Sequence, residues 1–445
     1  MSSKDLHVIV GLGATGFSCA RYLSQRGFSI AINDTRAKPP QLEDVKRQFP
    51  DVPISLGGFD DALLDKAAVL IVSPGIALQE PSIARQISRG IPVIGDIELF
   101  AKDAKAPIIA ITGTNAKSTV TTLVGKMMEN AGVKVQVGGN LGIPALDLLT
   151  TPRPELFVLE LSSFQLETTY SLAPQVATVL NVTPDHMDRY GNLDDYWTAK
   201  QRVYANCKTA VCNRDDARTN CDEPQLQKKL FFTLNEPREN EFGLLTKKGE
   251  AYLAFQDQAL MPVQDLPILG KHYQANALAS LAIGYGYGLA MEPMLQTLLE
   301  FKGLPHRCEL VRVKGGVRWY NDSKGTNVGA ALAAIEGLGS VIEGKLVLIA
   351  GGVGKNADFA PLVPSIEKYA KAVVLIGEAA SILDEVIGGR VNTCLAKSME
   401  EAIQIADQLA KAGDSVLLSP ACASFDMFNN FEHRGNVFAE EVRGL

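Results

Sequence analysis

Short apolar runs recur along the chain, each followed by a glycine-containing turn and then by an amphipathic helical pattern. The runs fall at residues 7–10, 29–33, 68–73, 108–112, 156–160, 176–181, 346–350, 372–376 and 416–419. They are rich in β-formers and do not alternate strictly, the pattern of parallel strands buried on both faces. Helix-period segments at 17–27, 96–102, 120–131, 197–204 and 292–301 lie between many of them, so the class is α/β with parallel sheets. Residues 228–263 are more polar, alternate at 251–255, and read as small antiparallel strands.

Glycine-rich strand-to-helix turns near Gly11, Gly113 and Gly351 each call for their own sheet, hence three domains. Boundaries are expected near Gly95 and near residues 303–305, where the helix pattern at 292–301 breaks. A chain of 445 residues, 46% hydrophobic and 21% charged, can bury several cores of this kind.

Charge narrows the partners. There are 43 basic and 50 acidic residues, net −7, with no basic block, so nucleic acid or an anionic membrane finds no support as the main partner. Seven scattered cysteines without a C-x-x-C pair argue against a disulfide framework or structural zinc. Residues 1–7 lack a basic-then-apolar leader, and no apolar stretch reaches the ~20 residues that span a bilayer. A reducing cytoplasm is the expected location, and nothing calls for more than a monomer.

At the first turn, Gly11-Leu12-Gly13-Ala14-Thr15-Gly16 joins a strand to a helix pattern, and the next strand ends in Asn33-Asp34-Thr35-Arg36. This is a dinucleotide fingerprint: the glycines let a phosphate approach a helix N-terminus, and Asp34 is placed for a ribose hydroxyl. Taken alone it favours a nicotinamide oxidoreductase. Glycines that merely let helix pack on strand are the alternative.

At the second turn, a buried strand at 106–112 runs into Gly113-Thr114-Asn115-Ala116-Lys117-Ser118-Thr119 and a helix. Backbone N–H groups and the helix dipole would cradle phosphates there. Lys117 would neutralise the β- and γ-phosphates, and Ser118 or Thr119 would offer a hydroxyl to magnesium. The strict P-loop pattern is not met, because Ile111 and Ala116 occupy its glycine positions. The reading is a nucleoside triphosphate site; an ordinary strand–helix turn with an exposed lysine is the plain alternative.

Glu160 ends one strand, and Asn181-Val182-Thr183-Pro184-Asp185-His186-Met187-Asp188 follows another, both where α/β sheets place ligands. Glu160 suits magnesium, whereas His186 is an unusual partner for so hard a cation. Lys200, by residue type alone, reads as a solvated helix lysine.

Together, residues 113–119, 160–165 and 181–188, His306-Arg307-Cys308-Glu309, and Asn321-Asp322-Ser323-Lys324-Gly325-Thr326-Asn327 resemble, in order and across essentially the whole chain, the Mur ligases of peptidoglycan synthesis. The closing Leu418-Ser419-Pro420-Ala421-Cys422-Ala423-Ser424-Phe425-Asp426, the N-terminal glycine fingerprint and the lack of an Asp-Asn-Pro-Arg motif favour the member that adds D-glutamate.

The resemblance implies a Rossmann-like domain over 1–95 for the UDP end, a central P-loop-type ATPase domain over 96–303, and a C-terminal Rossmann-like domain over 304–445 that closes with the amino acid. It implies ATP, two magnesium ions and a carboxylated Lys200, with UDP-MurNAc-L-Ala and D-glutamate as substrates. Ala14, Thr15, Asp34, Thr35, Arg36, Ser73 and Gly75 would then hold UDP instead of NAD. Asn140 and Ser162 would contact substrate, Asn276 the adenine side, and Arg307 and Asp322 the ATP. Lys324, Thr326, Lys355, Ser424, Phe425 and Phe431 would serve the amino acid. Lys117, Glu160, His186 and Lys200 would carry catalysis, with Ser118, Glu160, His186 and Lys200 as metal ligands. Alanine at 116, where many relatives have glycine, would be strained if φ is positive there, and is expected to be tolerated.

This set suits amide formation. A carboxylate repels nucleophiles and lacks a leaving group; phosphorylation supplies one, and the rest is charge neutralisation and in-line placement. Competing readings are a nicotinamide oxidoreductase, a nucleotide-regulated binding module, and another Mur or folylpolyglutamate synthase-like ligase.

Overall fold

The computed structural model describes residues 5–150, 152–268 and 270–445. Residues 1–4, on which part of the leaderless reading rests, lie outside them. Five parallel strands form the first sheet, in the order Ile54–Leu56, Ser29–Asp34, Leu6–Val10, Val69–Val72 and Val93–Ile94. The chain leaves Leu6–Val10 to one side and later returns to the other. That reversal opens a crevice at the carboxyl end of this strand.

Among the described residues the central sheet has nine strands. Ile108–Thr112 lies between Leu156–Glu160 and Val176–Val179, parallel to both, so a second crevice opens at its carboxyl end. Its apolar residues are buried on both faces, one side by Val120, Leu123 and Val124 of the helix Lys117–Asn130. The expected antiparallel unit at 228–263 needs correction. Lys228–Phe232 runs parallel to Thr209–Asn213, and only Glu241–Lys247, Glu250–Phe255 and Gln258–Pro262 form an antiparallel meander, continuous with the sheet. Leu230 and Phe232 are buried, so the strand gains more by extending the central core than by leaving it.

Among the described residues the third sheet has six strands, in the order Glu309–Lys314, Val317–Asn321, Ser415–Leu418, Leu346–Gly351, Ala370–Ile376 and Asn392–Leu395. All pairs are parallel except the first. The α/β class is thus realised in three sheets. The third glycine turn, however, does not enter a helix directly. Gly351 and Gly352 have φ of 121° and 129°, and a Cβ on either would fall 1.9 Å from Ile376 O or 2.1 Å from Ala423 O. These glycines serve the crossing of adjacent backbones. A loop carrying Lys355 follows, and the helix Val363–Tyr369 starts only later.

Helices Ala14–Gln25 and Lys117–Asn130 both begin three residues before the apolar pattern announces them. Their first turns face the crevices rather than the core, so hydrophobic periodicity does not mark them.

Candidate active site

The phosphate loop is built by the strand that precedes it and by the segment after Val176–Val179. Thr114 N–H donates to Asn181 O at 2.9 Å and Asn115 N–H to Asn181 Oδ1 at 2.8 Å. Thr114 Oγ1 donates to Thr183 O at 3.1 Å. Ala116 adopts φ 68° and caps the helix Lys117–Asn130, so the condition under which this alanine would be strained is met. The first N–H groups of the helix then face the crevice, ready for an anion.

Two lysines meet beneath the loop. Lys117 Nζ donates to Gly113 O at 2.9 Å and to Thr114 O at 2.8 Å. Lys200, on the helix Leu193–Gln201, is 1% exposed and donates to the same Gly113 O at 2.8 Å. It also lies 4.3 Å from the Tyr196 ring centroid. A solvated helix lysine is therefore not what position 200 holds. Burial, then repulsion from Lys117, drives its pKa well below the usual lysine range, against Asp185 and Glu160. Lys117 is lowered too, chiefly by burial, with Glu160 and Asp185 opposing.

Glu160 ends its strand beside them. Its Oε1 accepts from Asn140 Nδ2 at 2.6 Å, while Oε2 is buried and has no hydrogen-bond partner among the described residues. An orphaned carboxylate oxygen beside a phosphate loop is a place for a cation. Among the described residues no three of His, Cys, Asp and Glu form a ready cage. Magnesium does not require one, since it typically uses one or two carboxylates together with phosphate oxygens and water. Glu160 fits that demand as it stands; the Ser118 hydroxyl is held by Arg307 Nη2 and would have to share it.

His186 has φ 58° and packs edge-on against Phe164, with centroids 4.9 Å apart. Burial holds its pKa below the ordinary histidine value, against the pull of Asp185. Its Nε2 is 3.8 Å from Asp185 Oδ2, and Lys355 Nζ is 3.6 Å from Asp185 Oδ1. Burial would raise Asp185, but His186, Lys355 and Asn327 hold it below its usual value.

Three cavities adjoin this cluster. One of about 310 Å³ contains Asn115, Ala116, Thr119, Asn276, Arg307, Asp322 and Lys324. Arg307 Nη2 donates to Ser118 Oγ at 2.7 Å, across the seam between the central and third sheets. Asp322 accepts from Ser419 Oγ at 2.7 Å and Cys308 N at 3.2 Å, yet burial pushes its pKa up to about 6. Burial brings Lys324 down to about 8, and its Nζ stands 3.6 Å from the Phe431 ring centroid.

A second cavity, about 570 Å³, brings together Ala14, Thr15, Thr35, Arg36, Ser73, Gly75 and Asn140. Asp34 lies in its wall, but the expected ribose contact is not available to it. The carboxylate is 2% exposed and already accepts from Leu12 N, Arg36 N, Arg36 Nε and Arg36 Nη2, at 2.6, 2.8, 2.9 and 2.6 Å. Four donors fill its lone-pair sites, so Asp34 shapes the turn and Arg36 is the group left to meet a ligand. Ser162 likewise spends its side chain in a capping box with Gln165.

The third cavity, about 430 Å³, holds Asp185, His186, Thr326 and Lys355 with the apolar Leu332 and Pro361. Of the other residues expected near the amino acid, Lys324 and Phe431 pair with each other on the nucleotide side, Ser424 is 2% exposed, and Phe425 is 74% exposed. Sequence reasoning passed over Asn181, Asp185 and Asn327 as individual site residues. Each sits in a motif already singled out, and that position was the available signal.

Residues 5–95 match the family described as Mur ligase MurD-like, N-terminal domain; residues 111–284 match the Mur ligase middle domain; residues 306–422 match the Mur ligase glutamate ligase domain. The chain is 53% identical over 445 residues to a UDP-N-acetylmuramoylalanine–D-glutamate ligase of Pseudomonas putida, covering 100% of this chain and 99% of that relative. It is 50% identical to the protein of that name in Coxiella burnetii, with 100% of both chains covered. Among solved structures, the UDP-N-acetylmuramate-alanine ligase MurC of Thermotoga maritima superposes with a TM-score of 0.62 at 17% identity, covering 99% of each chain. The MurF ligase of Thermotoga maritima in complex with ADP also gives 0.62 at 17% identity, covering 100% of this chain and 97% of that one. At such identity these two likenesses speak for the fold alone.

Proposed function

The chain belongs to the Mur ligase family, and from that membership we propose that it is the ATP-dependent ligase that joins D-glutamate to UDP-N-acetylmuramoyl-L-alanine in peptidoglycan precursor synthesis. The observation that carries the reading is the succession of three cavities around the phosphate loop, with Asp185 in the wall of the third. The nucleotide-side and lysine-bearing cavities share Thr183 and Gly329, while the first-sheet cavity ends at Asn140, which is bonded to Glu160.

The substrate carboxylate would enter from the first-sheet cavity and attack the γ-phosphorus of ATP presented on the loop 113–119. The bond to ADP breaks as the acyl–phosphate bond forms. Lys117 and the helix N-terminus stabilise charge on the phosphoryl oxygens. The neutral amine of D-glutamate, held in the third cavity, then attacks the acyl carbon, its nitrogen gives up a proton to solvent, and the tetrahedral species expels phosphate. Lys355 fits one of the two carboxylates of that amino acid. Magnesium, when bound by Ser118, Glu160, His186 and a carboxylated Lys200, supplies further neutralisation of phosphate charge.

Phosphate release from ATP is the test. It is expected only when UDP-MurNAc-L-Ala and D-glutamate are both present, and to fail with L-glutamate, L-alanine or diaminopimelate in place of D-glutamate. Release independent of the amino acid, or a preference for another member of the panel, would overturn the assignment.

A further inference from the structure

The helix Val328–Gly339 starts at the seam between the third sheet and the central one, and its N-cap is Asn327, 9% exposed. Asn327 Oδ1 accepts from Ala330 N–H at 2.8 Å, an ordinary capping bond. That bond decides which way the amide faces. With Oδ1 turned to the helix, Nδ2 is presented across the seam. It donates to two central acceptors: Asn115 Oδ1 at 3.2 Å and Asp185 Oδ2 at 3.0 Å. Asn115 belongs to the phosphate loop, and Asp185 lies between His186 and Lys355.

A second observation concerns Gly329. A Cβ at that position would fall 2.9 Å from Thr183 Oγ1 and 3.5 Å from Asn115 Nδ2. The helix end thus meets the central loops at a separation that suits glycine.

We infer that Asn327 is a positioning residue: a latch through which docking of the C-terminal unit sets Asn115 of the phosphate loop and the Asp185 carboxylate at once. One neutral amide ties the nucleotide side and the amino-acid side of the seam to a single helix end. Neutrality suits the task, since a cation would compete with Lys355 for Asp185 and a carboxylate would repel it. The inference rests on the ligase reading above, because docking bears on turnover only where nucleotide and amino acid must be held together. Where the docked form is the competent one, apparent affinity falls in proportion to the fraction undocked.

The test separates latch from cap. Asn327→Asp keeps the cap, because Asp and Asn cap about equally, but replaces the donors with an acceptor facing Asp185. The melting temperature should hold, the KM for UDP-MurNAc-L-Ala should hold, and the KM for D-glutamate should rise by about tenfold to a hundredfold. In small-angle scattering with ADP, the variant should stay more extended than the parent. Combining Asn327→Asp with Asp185→Asn restores a donor–acceptor pair and should restore compaction. Gly329→Val, which crowds the same seam, should reproduce the extended state.

An Asn327→Asp protein with parental compaction and parental KM for D-glutamate would overturn the latch. So would a uniform rise of every KM accompanied by a lowered melting temperature, the mark of a merely structural role. A parent without turnover would instead fail the ligase reading, and the scattering comparison would then judge the latch alone.

Discussion

Lys117 and Lys200 share one acceptor: their Nζ atoms lie 2.9 and 2.8 Å from the same carbonyl oxygen, that of Gly113. Burial, and after it repulsion from the Lys117 ammonium, pushes Lys200 well below the ordinary lysine range. A neutral lysine amine adds carbon dioxide to give a carbamate. That anion would answer the charge of Lys117 and offer oxygens to a hard cation.

Labelled bicarbonate should therefore give a carbamate resonance that Lys200→Ala abolishes, with turnover lowered about a hundredfold or more. A short carboxylate such as formate should restore part of it. The sign in pH follows from the depressed pKa. The neutral amine exists above it, so falling pH protonates Lys200, removes the carbamate and lowers turnover. Full activity with Lys200 unmodified at every bicarbonate level would sink this account.

At Ala116 two opposing terms decide the outcome of Ala116→Gly. Relief of the left-handed conformation, φ 68°, is worth about 1–2 kcal/mol, and the extra freedom of glycine in the unfolded chain takes back about 0.4–1 kcal/mol. The variant should be slightly more stable, by up to ~1.6 kcal/mol, with kcat unchanged. Urea titration alongside steady-state rates measures both; a clear loss of stability would show that the alanine methyl has a packing role instead.

Gly352 should tolerate nothing larger. With φ 129° and Ala423 O only 2.1 Å from where a Cβ would stand, Gly352→Ala must displace a neighbouring backbone. A cost above ~2 kcal/mol is expected, together with weakened D-glutamate binding, because Lys355 hangs from this loop. Denaturant midpoints and the KM for D-glutamate check the two effects. An unperturbed midpoint would mean the crossing can relax.

Asp96 opens the helix Asp96–Asp103 and is 2% exposed. Its Oδ2 accepts from Gln165 Nε2 at 3.1 Å, but Oδ1 has no hydrogen-bond partner among the described residues. Burial raises its pKa from 3.8 to about 6, against the pull of Gln165 and backbone N–H groups. The folded state thus holds this proton more tightly than the unfolded chain. Its contribution to stability is full below the unfolded pKa and is lost as pH rises through about 6, a change of at most ~3 kcal/mol. Asp96→Asn should melt higher than the parent at alkaline pH and show no such gain in acid. Parallel melting curves across pH would contradict the assignment.

Much of this was legible in the residues. The apolar runs at 7–10, 108–112 and 346–350 encode strands buried on both faces, and the strands Leu6–Val10, Ile108–Thr112 and Leu346–Gly351 stand there. Burial of a continuous Val, Ile and Leu run is a local property, so the chain carries it openly. The same holds for the glycine turns at 11–16 and 113–119, whose conformational needs are written in residue type. What only the tertiary structure decided depends on residues brought together from far apart. Lys200 reads as a surface lysine until Gly113, 87 positions away, supplies its acceptor and burial lowers its pKa. Asp34 reads as a ribose ligand until Leu12 and Arg36 fill its oxygens. Asn327 is only the last residue of a motif until the fold makes it a helix cap and brings Asn115 and Asp185 to it across the seam. Periodicity reports which face of an element is buried; protonation and hydrogen-bond saturation are set by neighbours that only the fold supplies.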